Sequence, residues 1–374
     1  MTKFELSIST NYVPDWGIVE AFRELFQNAI DNETTNPENK MDWNYDGHKI
    51  TISNKTSKLK AESLLLGGGT KADDENTIGK HGEGYKIAFM VLLRNNKSIK
   101  VYNYGAREVW SARLIVSRRY GQQVPAIFVE KEAVWKSVPN NDLTIEVSGI
   151  TPEEYIAIQD KNLNLRQDTI DRVNITGSGS IILNPEEKGN IYVRGLFISN
   201  ESSLSYGYDF EPSVITLDRD RRMVSTFNVQ WQTSLMWNIA AKMNESLSGR
   251  AVKLVNEKAG DTKYVTSNYP YSETKHELFD AVAKDFYEEH GDDAIPVTSN
   301  FEYKSVEHLG DGKPVIVSEN KASIIRKSSV VEEHTTLEVT SLREKFENFA
   351  ERIEGKLSDE ELNELKELIE QIDW

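Results

Sequence analysis

Three glycines, Gly79, Gly82 and Gly84, stand in the stretch TIGKHGEGYKIAFM, directly ahead of an apolar helical run. Glycine lets the main chain pass close to a partner and turn in ways other residues resist. The amides that open a helix have no partner within it and point outward, where an anion can meet them. Such a segment folds either as a flexible loop or as a cradle for phosphates. It has no G-x-x-x-x-G-K-[ST] pattern, so it is not a P-loop. Its glycines run in the opposite order to a dinucleotide-binding fingerprint. No H-R-D or D-F-G segment accompanies it, as a protein-kinase loop requires. Lys86 places a positive charge in the first helical turn, which disfavours a bare helix start but suits a bound polyphosphate. Upstream, LLLGGGTKADDENT is glycine-rich and polar, which predicts a mobile lid with Thr70 and Lys71 near a terminal phosphate.

A second segment narrows the choice. GIVEAFRELFQNAIDN reads as a helix. At about 100° per residue, Ile18, Phe22, Leu25, Phe26 and Ala29 gather on one side, and Glu24, Asn28 and Asp31 on another. An ordinary solvated helix face accounts for such a stripe. So does a nucleotide site. A glutamate can deprotonate a water for attack on a phosphoryl group. An asparagine oxygen is a hard ligand suited to Mg²⁺. A second acid can hydrogen-bond a nucleoside.

Together, RELFQNAID and IGKHGEGYKIAFMV resemble the N-box and second glycine box of the GHKL ATPases, the superfamily of gyrase B, heat-shock-ninety chaperones, histidine kinases and MutL. The spacing is most similar to the chaperone branch. The resemblance implies an α+β fold of Bergerat type: a mostly antiparallel sheet with helices on one face. It implies that Glu24 is the water-activating base, Asn28 the Mg²⁺ ligand and Asp31 a nucleoside contact. Gly79, Gly82, Gly84 and Lys86 would hold the phosphates of ATP, with His81, Glu83 and Tyr85 in the same box. DLTIEV is similar to the late strand whose threonine lies near the base, which makes Thr144 a candidate. NIYVRGLFIS resembles a strand of the S5-like transducer domain, and ITLDRDRRM falls where the family carries an arginine that reaches the γ-phosphate. Arg221 fits that role by spacing, with Arg219 and Arg222 beside it. One departure stands out. Where the family has D-x-G-x-G after the strand HKITIS, this chain reads SNKTSKL. Ser53 or Asn54 takes the place of the aspartate, and Lys55 and Ser57 replace glycines. Asn54 could accept a hydrogen bond from an adenine amine, without the charge. The overall layout also resembles the phage rapid-lysis A proteins.

The expected organisation is an ATP-binding domain over 1–152, an S5-like transducer over 153–265, a small α/β unit over 266–333 and a helical hairpin or coiled-coil tail over 334–374. TPEEYIAIQDKNLNLR is predicted as one helix and a linker, and one helix is predicted from Phe227 to Val255. HELFDAVAKDFYEEHG reads as a helix and KPVIVS as a buried strand. In the tail, Leu342, Phe346, Phe349, Ile353 and Leu357 recur at helical steps, and Ser358 with Glu361 forms a capping-box signature.

The net charge of −16 argues against a surface built to coat nucleic acid, and so against gyrase or topoisomerase work. The chain has no cysteine, which excludes disulfides and thiolate metal sites. No apolar run reaches the length of a membrane span. The opening MTKFELSIST lacks the basic-then-apolar pattern of a secretory leader. The expected location is the cytoplasm, the host's if the chain is phage-encoded. The function expected is Mg²⁺-dependent ATP binding and hydrolysis that drives a clamp, as a homodimer acting on a protein partner or client. The alternative is a nucleotide-gated binding module with little or no hydrolysis.

Overall fold

A computed structural model describes residues 1–60, 64, 84–131, 140–166, 170–215, 217, 225–267, 276–309, 312–334, 349, 358 and 362. The chain forms two compact units, Met1–Tyr269 and Pro270–Trp374.

Among the described residues, the first unit holds two sheets. Its larger sheet comprises β1 (Thr2–Glu5), β2 (Met41–Tyr45), β3 (Lys49–Asn54), β4 (Ser98–Asn103), β5 (Glu108–Val116), β6 (Gln123–Lys131) and β7 (Leu143–Ser148). The strands lie in the order β1-β6-β5-β4-β7-β3-β2, and every neighbouring pair is antiparallel. Alternation sets its two faces. Ile50, Ile52, Ile99, Val101, Leu143, Ile145 and Val147 are buried, while Thr51, Ser53, Thr144, Glu146 and Ser148 between them are only partly so. The buried face is covered by α1 (Ile18–Thr35) and α2 (Gly84–Arg94). The expected α+β sandwich, an antiparallel sheet under helices, is the architecture found.

α2 is apolar nearly all round, as a helix wedged between a sheet and another helix must be. Ile87 through Leu92 are buried without interruption. Burial of each large side chain in that run contributes about 1.5–3 kcal/mol. Arg94 ends the helix and ties it to the segment that precedes α1. Its guanidinium donates to the carbonyls of Thr10 at 2.9 Å, Tyr12 at 3.2 Å, Val13 at 3.1 Å and Trp16 at 2.7 Å. Val13 there has φ 44°, a strained value for a β-branched residue. α3 (Pro152–Asp160) is held by Thr151, whose hydroxyl caps it in a capping box with Glu154. Tyr155 of α3 stacks on Tyr45 of β2 with centroids 4.0 Å apart, and α3 also packs on α1. The predicted helix over 151–166 therefore ends at Asp160, and a 3₁₀ turn over Leu163–Leu165 follows. It packs into the layer of α1 rather than spanning a gap.

The second sheet is built from β8 (Arg172–Ile175), β9 (Gly179–Ile182), β10 (Asn190–Val193), β11 (Leu196–Asn200) and β12 (Gly207–Phe210), ordered β11-β10-β12-β9-β8. β10 and β12 are parallel and the other pairs antiparallel. NIYVRGLFIS, read as one strand, is a hairpin. Arg194 at φ 49° and Gly195 at φ 80° form its two-residue turn, the left-handed pair that matches strand twist. The single helix expected from Phe227 to Val255 is two, α4 (Thr226–Ala240) and α5 (Glu245–Asn256). Asn244 breaks them: its side chain accepts from the Leu247 amide at 3.0 Å and caps α5.

The second unit contains α6 (Glu277–His290), β13 (Ala294–Val297), α7 (Asn300–Leu309), β14 (Lys313–Ile316), α8 (Glu319–Arg326) and α9 (Ser329–His334). β13 and β14 pair in parallel across α7. Phe279, Val282, Phe286, Val297, Ile324 and Ile325 form its core. Most of the helical stripe predicted for the tail lies outside the described residues.

Asp209 of β12 offers a pH test of the second sheet. Its carboxylate accepts from the Gly195 amide at 2.7 Å and lies 3.4 Å from Arg172. Burial outweighs these contacts and raises its pKa from 3.8 to about 6. A raised native pKa gives stability that is complete below the unfolded pKa and lost as pH rises through the native one. Between pH 4 and 7, the wild type should lose about 2.4 kcal/mol relative to Asp209→Asn. Urea unfolding of both proteins at several pH values measures this, and parallel pH profiles would refute it.

Candidate functional site

α1 begins at Ile18, where Glu20 reaches back to the Gly17 amide at 2.8 Å. Its expected inward side, with Phe22, Leu25, Phe26 and Ala29, is fully buried. The polar stripe is not a solvated face. Glu24 is 1% exposed and Asp31 0%, while Asn28 is partly buried. Two carboxylates so placed carry a desolvation cost that surface acids do not. Arg23 meets part of it: its Nη2 lies 3.5 Å from Glu24 Oε1, and its guanidinium sits 5.0 Å from the centre of the Trp16 ring.

The start of α2 closes on this stripe. A Cβ on Gly84 would stand 2.8 Å from Asn28 Nδ2 and 2.9 Å from Glu24 Oε2. Real Cβ atoms do not approach that closely, so only glycine leaves room for both side chains as they stand. Asn28 Nδ2 donates to the Glu24 carbonyl at 2.8 Å, one turn back. That bond turns the amide so that its oxygen remains as the acceptor. Tyr85 follows, partly buried and 6.1 Å from the Phe89 ring. Burial pushes its phenol up, and the nearby Asp31 carboxylate adds to the shift. Lys86 is 3% exposed. The junction therefore brings Gly84 against Glu24 and Asn28, and Tyr85 near Asp31, from two helices far apart in the chain.

Asn54 has a different role in view. It is the last residue of β3, on the helix-covered face. Its Nδ2 donates to the Ala29 carbonyl of α1 and to the Asn39 carbonyl, both at 2.9 Å. Both amide hydrogens are thus spent on main chain, and the oxygen is left as the open acceptor. Ser57 receives a hydrogen bond from Asn32 Nδ2 at 2.6 Å, and Lys55 is exposed. Thr144 is not brought to the junction. It pairs in register with Ser53 and Tyr102, on the sheet face away from α1, and its hydroxyl lies 2.8 Å from Ser53 Oγ. Leu143 and Ile145 face the helices instead. Thr70, Lys71, Gly79, His81, Gly82, Glu83, Arg219, Arg221 and Arg222 lie outside the described residues. No group of acids and histidines able to hold a metal ion occurs among the described residues.

Arg94 is the site-shaping residue that sequence reasoning passed over. A lone arginine at a helix C-terminus signals a favourable dipole contact and nothing more. Its four carbonyls come from a segment with no regular structure, and nothing in the sequence points to them.

Known proteins similar to this chain come from two directions. The ATPase region of Saccharomyces cerevisiae topoisomerase II, bound to ICRF-187 (dexrazoxane), matches with a TM-score of 0.34 and 10% identity, over 55% of this chain and 77% of that one. A second structure of the same region gives a TM-score of 0.31 at 10% identity, over 55% and 76%. An uncharacterized protein of Mycoplasma pneumoniae is 26% identical over 235 residues, 60% of this chain and 92% of that protein. No family model matches the chain. These likenesses are distant. Among the described residues, no helix is long and apolar enough to cross a membrane.

Asn54→Ala should cost about 2–4 kcal/mol, because two buried carbonyls lose their donor. Ser53→Ala, on the other face, should cost less than about 1 kcal/mol. Denaturant unfolding compares them, and equal costs would contradict the placement of Asn54.

Proposed function

We propose that the α1–α2 junction binds ATP with Mg²⁺ and hydrolyses it in the manner of the GHKL ATPases. One observation carries the reading: Gly84 lies against both Glu24 and Asn28, so the opening amides of α2 and a carboxylate–carboxamide pair share one small space. Helix-opening amides attract phosphate oxygens. A buried lysine in the same turn adds the charge a polyphosphate needs, and Lys86 occupies that place. The donor set fits the metal, since Asn28 keeps an oxygen free of hydrogen bonds from described residues. Mg²⁺ held there would neutralise charge on the phosphates. Glu24 would take the proton of an attacking water, held in a dry setting with Arg23 against its carboxylate. Asp31 and Tyr85 would line the nucleoside side. Asn54, its two donors fixed on carbonyls, would offer its oxygen to a base amine in place of the aspartate of the family. Arg221, with Arg219 and Arg222 beside it in the sequence, would complete the charge at the γ-phosphate. A homodimeric clamp that acts on a protein partner belongs to the same proposal.

Glu24→Ala should retain nucleotide binding while phosphate release falls about 100-fold or more. Asn28→Ala should lose the Mg²⁺ dependence of binding. Gly84→Ala should displace both side chains and abolish binding, at a stability cost of about 1–3 kcal/mol for the overpacked methyl group. Calorimetry with Mg–ATP and a phosphate-release assay read these outcomes. Turnover untouched by Glu24→Ala, or binding untouched by Gly84→Ala, would refute the reading.

A further inference from the structure

α1 carries the site, yet its own sequence leaves its C-terminus without a cation. The partial negative charge of the last carbonyls calls for one. The second sheet supplies it. Arg194, at the tip of the β10–β11 hairpin, donates through Nη1 to Thr34 Oγ1 in the last turn of α1. Thr34 in turn donates to the Ile30 carbonyl at 2.9 Å. The guanidinium is aimed by Glu211, whose carboxylate accepts from Arg194 Nε at 3.2 Å.

The hairpin tip is fixed on every side. The Arg194 amide donates to the Phe210 carbonyl at 3.2 Å, and the Arg194 carbonyl accepts from Asn164 Nδ2 at 2.9 Å. The Gly195 amide donates to Asp209, and the Gly195 carbonyl accepts from the Leu163 amide at 2.8 Å. A Cβ on Gly195 would lie 2.5 Å from Asn164 Nδ2, so this turn admits no side chain there. Arg194 itself holds φ 49°, a value a non-glycine residue adopts only when its surroundings impose it. A tip held by these bonds, and bonded in turn to the end of a helix, ties the position of that helix to its own.

From this geometry we infer that Arg194 is a positioning residue: it locks the last turn of α1 to the second sheet and so fixes Glu24, Asn28 and Asp31 against the start of α2. Asp31 stands less than one turn from the contact, and Glu24 about 15 Å along the helix. The linkage runs both ways, since a ligand that favours one placement of α1 favours the hairpin contact equally. The inference rests on the ATP-site reading above.

Five proteins test it: wild type, Arg194→Gln, Arg194→Lys, Thr34→Val and the Arg194→Gln/Thr34→Val double variant. Hydrogen exchange of the 31–36 amides is measured without nucleotide, and Mg–ATP affinity by calorimetry. Arg194→Gln should speed exchange and weaken affinity, each by about fivefold or more. Arg194→Lys should recover most of the affinity, and Thr34→Val should match Arg194→Gln. The double variant should be no worse than either single one, as expected for two ends of one contact. Wild-type affinity in Arg194→Gln, additive losses in the double variant, or faster exchange with unchanged affinity would each overturn the inference. Failure of the wild type to bind Mg–ATP overturns the site reading itself, and is distinguished because it arises before any substitution.

Discussion

The distance between two helices governs what this protein can do. α1 and α2 lie close enough that the first residue of α2 touches Glu24 and Asn28 across the gap, and a single methyl group would not fit there. Two features hold that spacing. The unbroken apolar run of α2 drives it against α1 and the sheet. Arg94 then binds four carbonyls of the segment leading into α1, so the end of one helix is tied to the approach of the other. Neither the glycine nor the acids would mean much if the helices stood further apart.

Burial of acids shows how the two sheets differ. In the second sheet, carboxylates inside the protein are met by hydroxyls and cations. Glu187 accepts from Tyr192 at 2.6 Å and from Asn190 at 3.0 Å, and pairs with Arg166. Asp261 accepts from Tyr208 and from the Ser205 amide, and Trp237 donates to that Tyr208 hydroxyl at 2.8 Å. Such networks fix the packing of a scaffold. The carboxylates of α1 are buried where two helices meet, Glu24 beside Arg23 and against Gly84. Arg194 joins the two regions, with the scaffold at one end and the site helix at the other.

Helices and strands with strong periodicity were legible in the sequence. α1, α2, α6, β3 and β7 fall where the sequence puts them. The two-sided character of α1 was not. Helical spacing groups Glu24, Asn28 and Asp31 on one stripe, but whether the stripe meets water or another helix depends on a partner distant in the chain. Thr144 shows a second limit. Similarity of DLTIEV to a family strand aligns residues along the chain, whereas a one-residue difference in register moves a side chain to the opposite face. Ser53 and Thr144 consequently pair with each other, away from the helices. Two misreadings had local signals. An Arg-Gly pair between apolar runs matches a two-residue hairpin, and Asn244 ahead of Glu245 matches a helix cap. Short strands such as β1, β8 and β12 left no such signal, because four residues give too little alternation to read.

A crystal structure with Mg²⁺ and a non-hydrolysable ATP analogue tests the central claim most directly. The account predicts the triphosphate against the first turn of α2, the metal on the Asn28 side-chain oxygen, and the Glu24 carboxylate facing the terminal phosphate. A nucleotide bound elsewhere, or crystals grown in excess analogue with Glu24, Asn28 and Gly84 packed together and nothing between them and solvent, would contradict it.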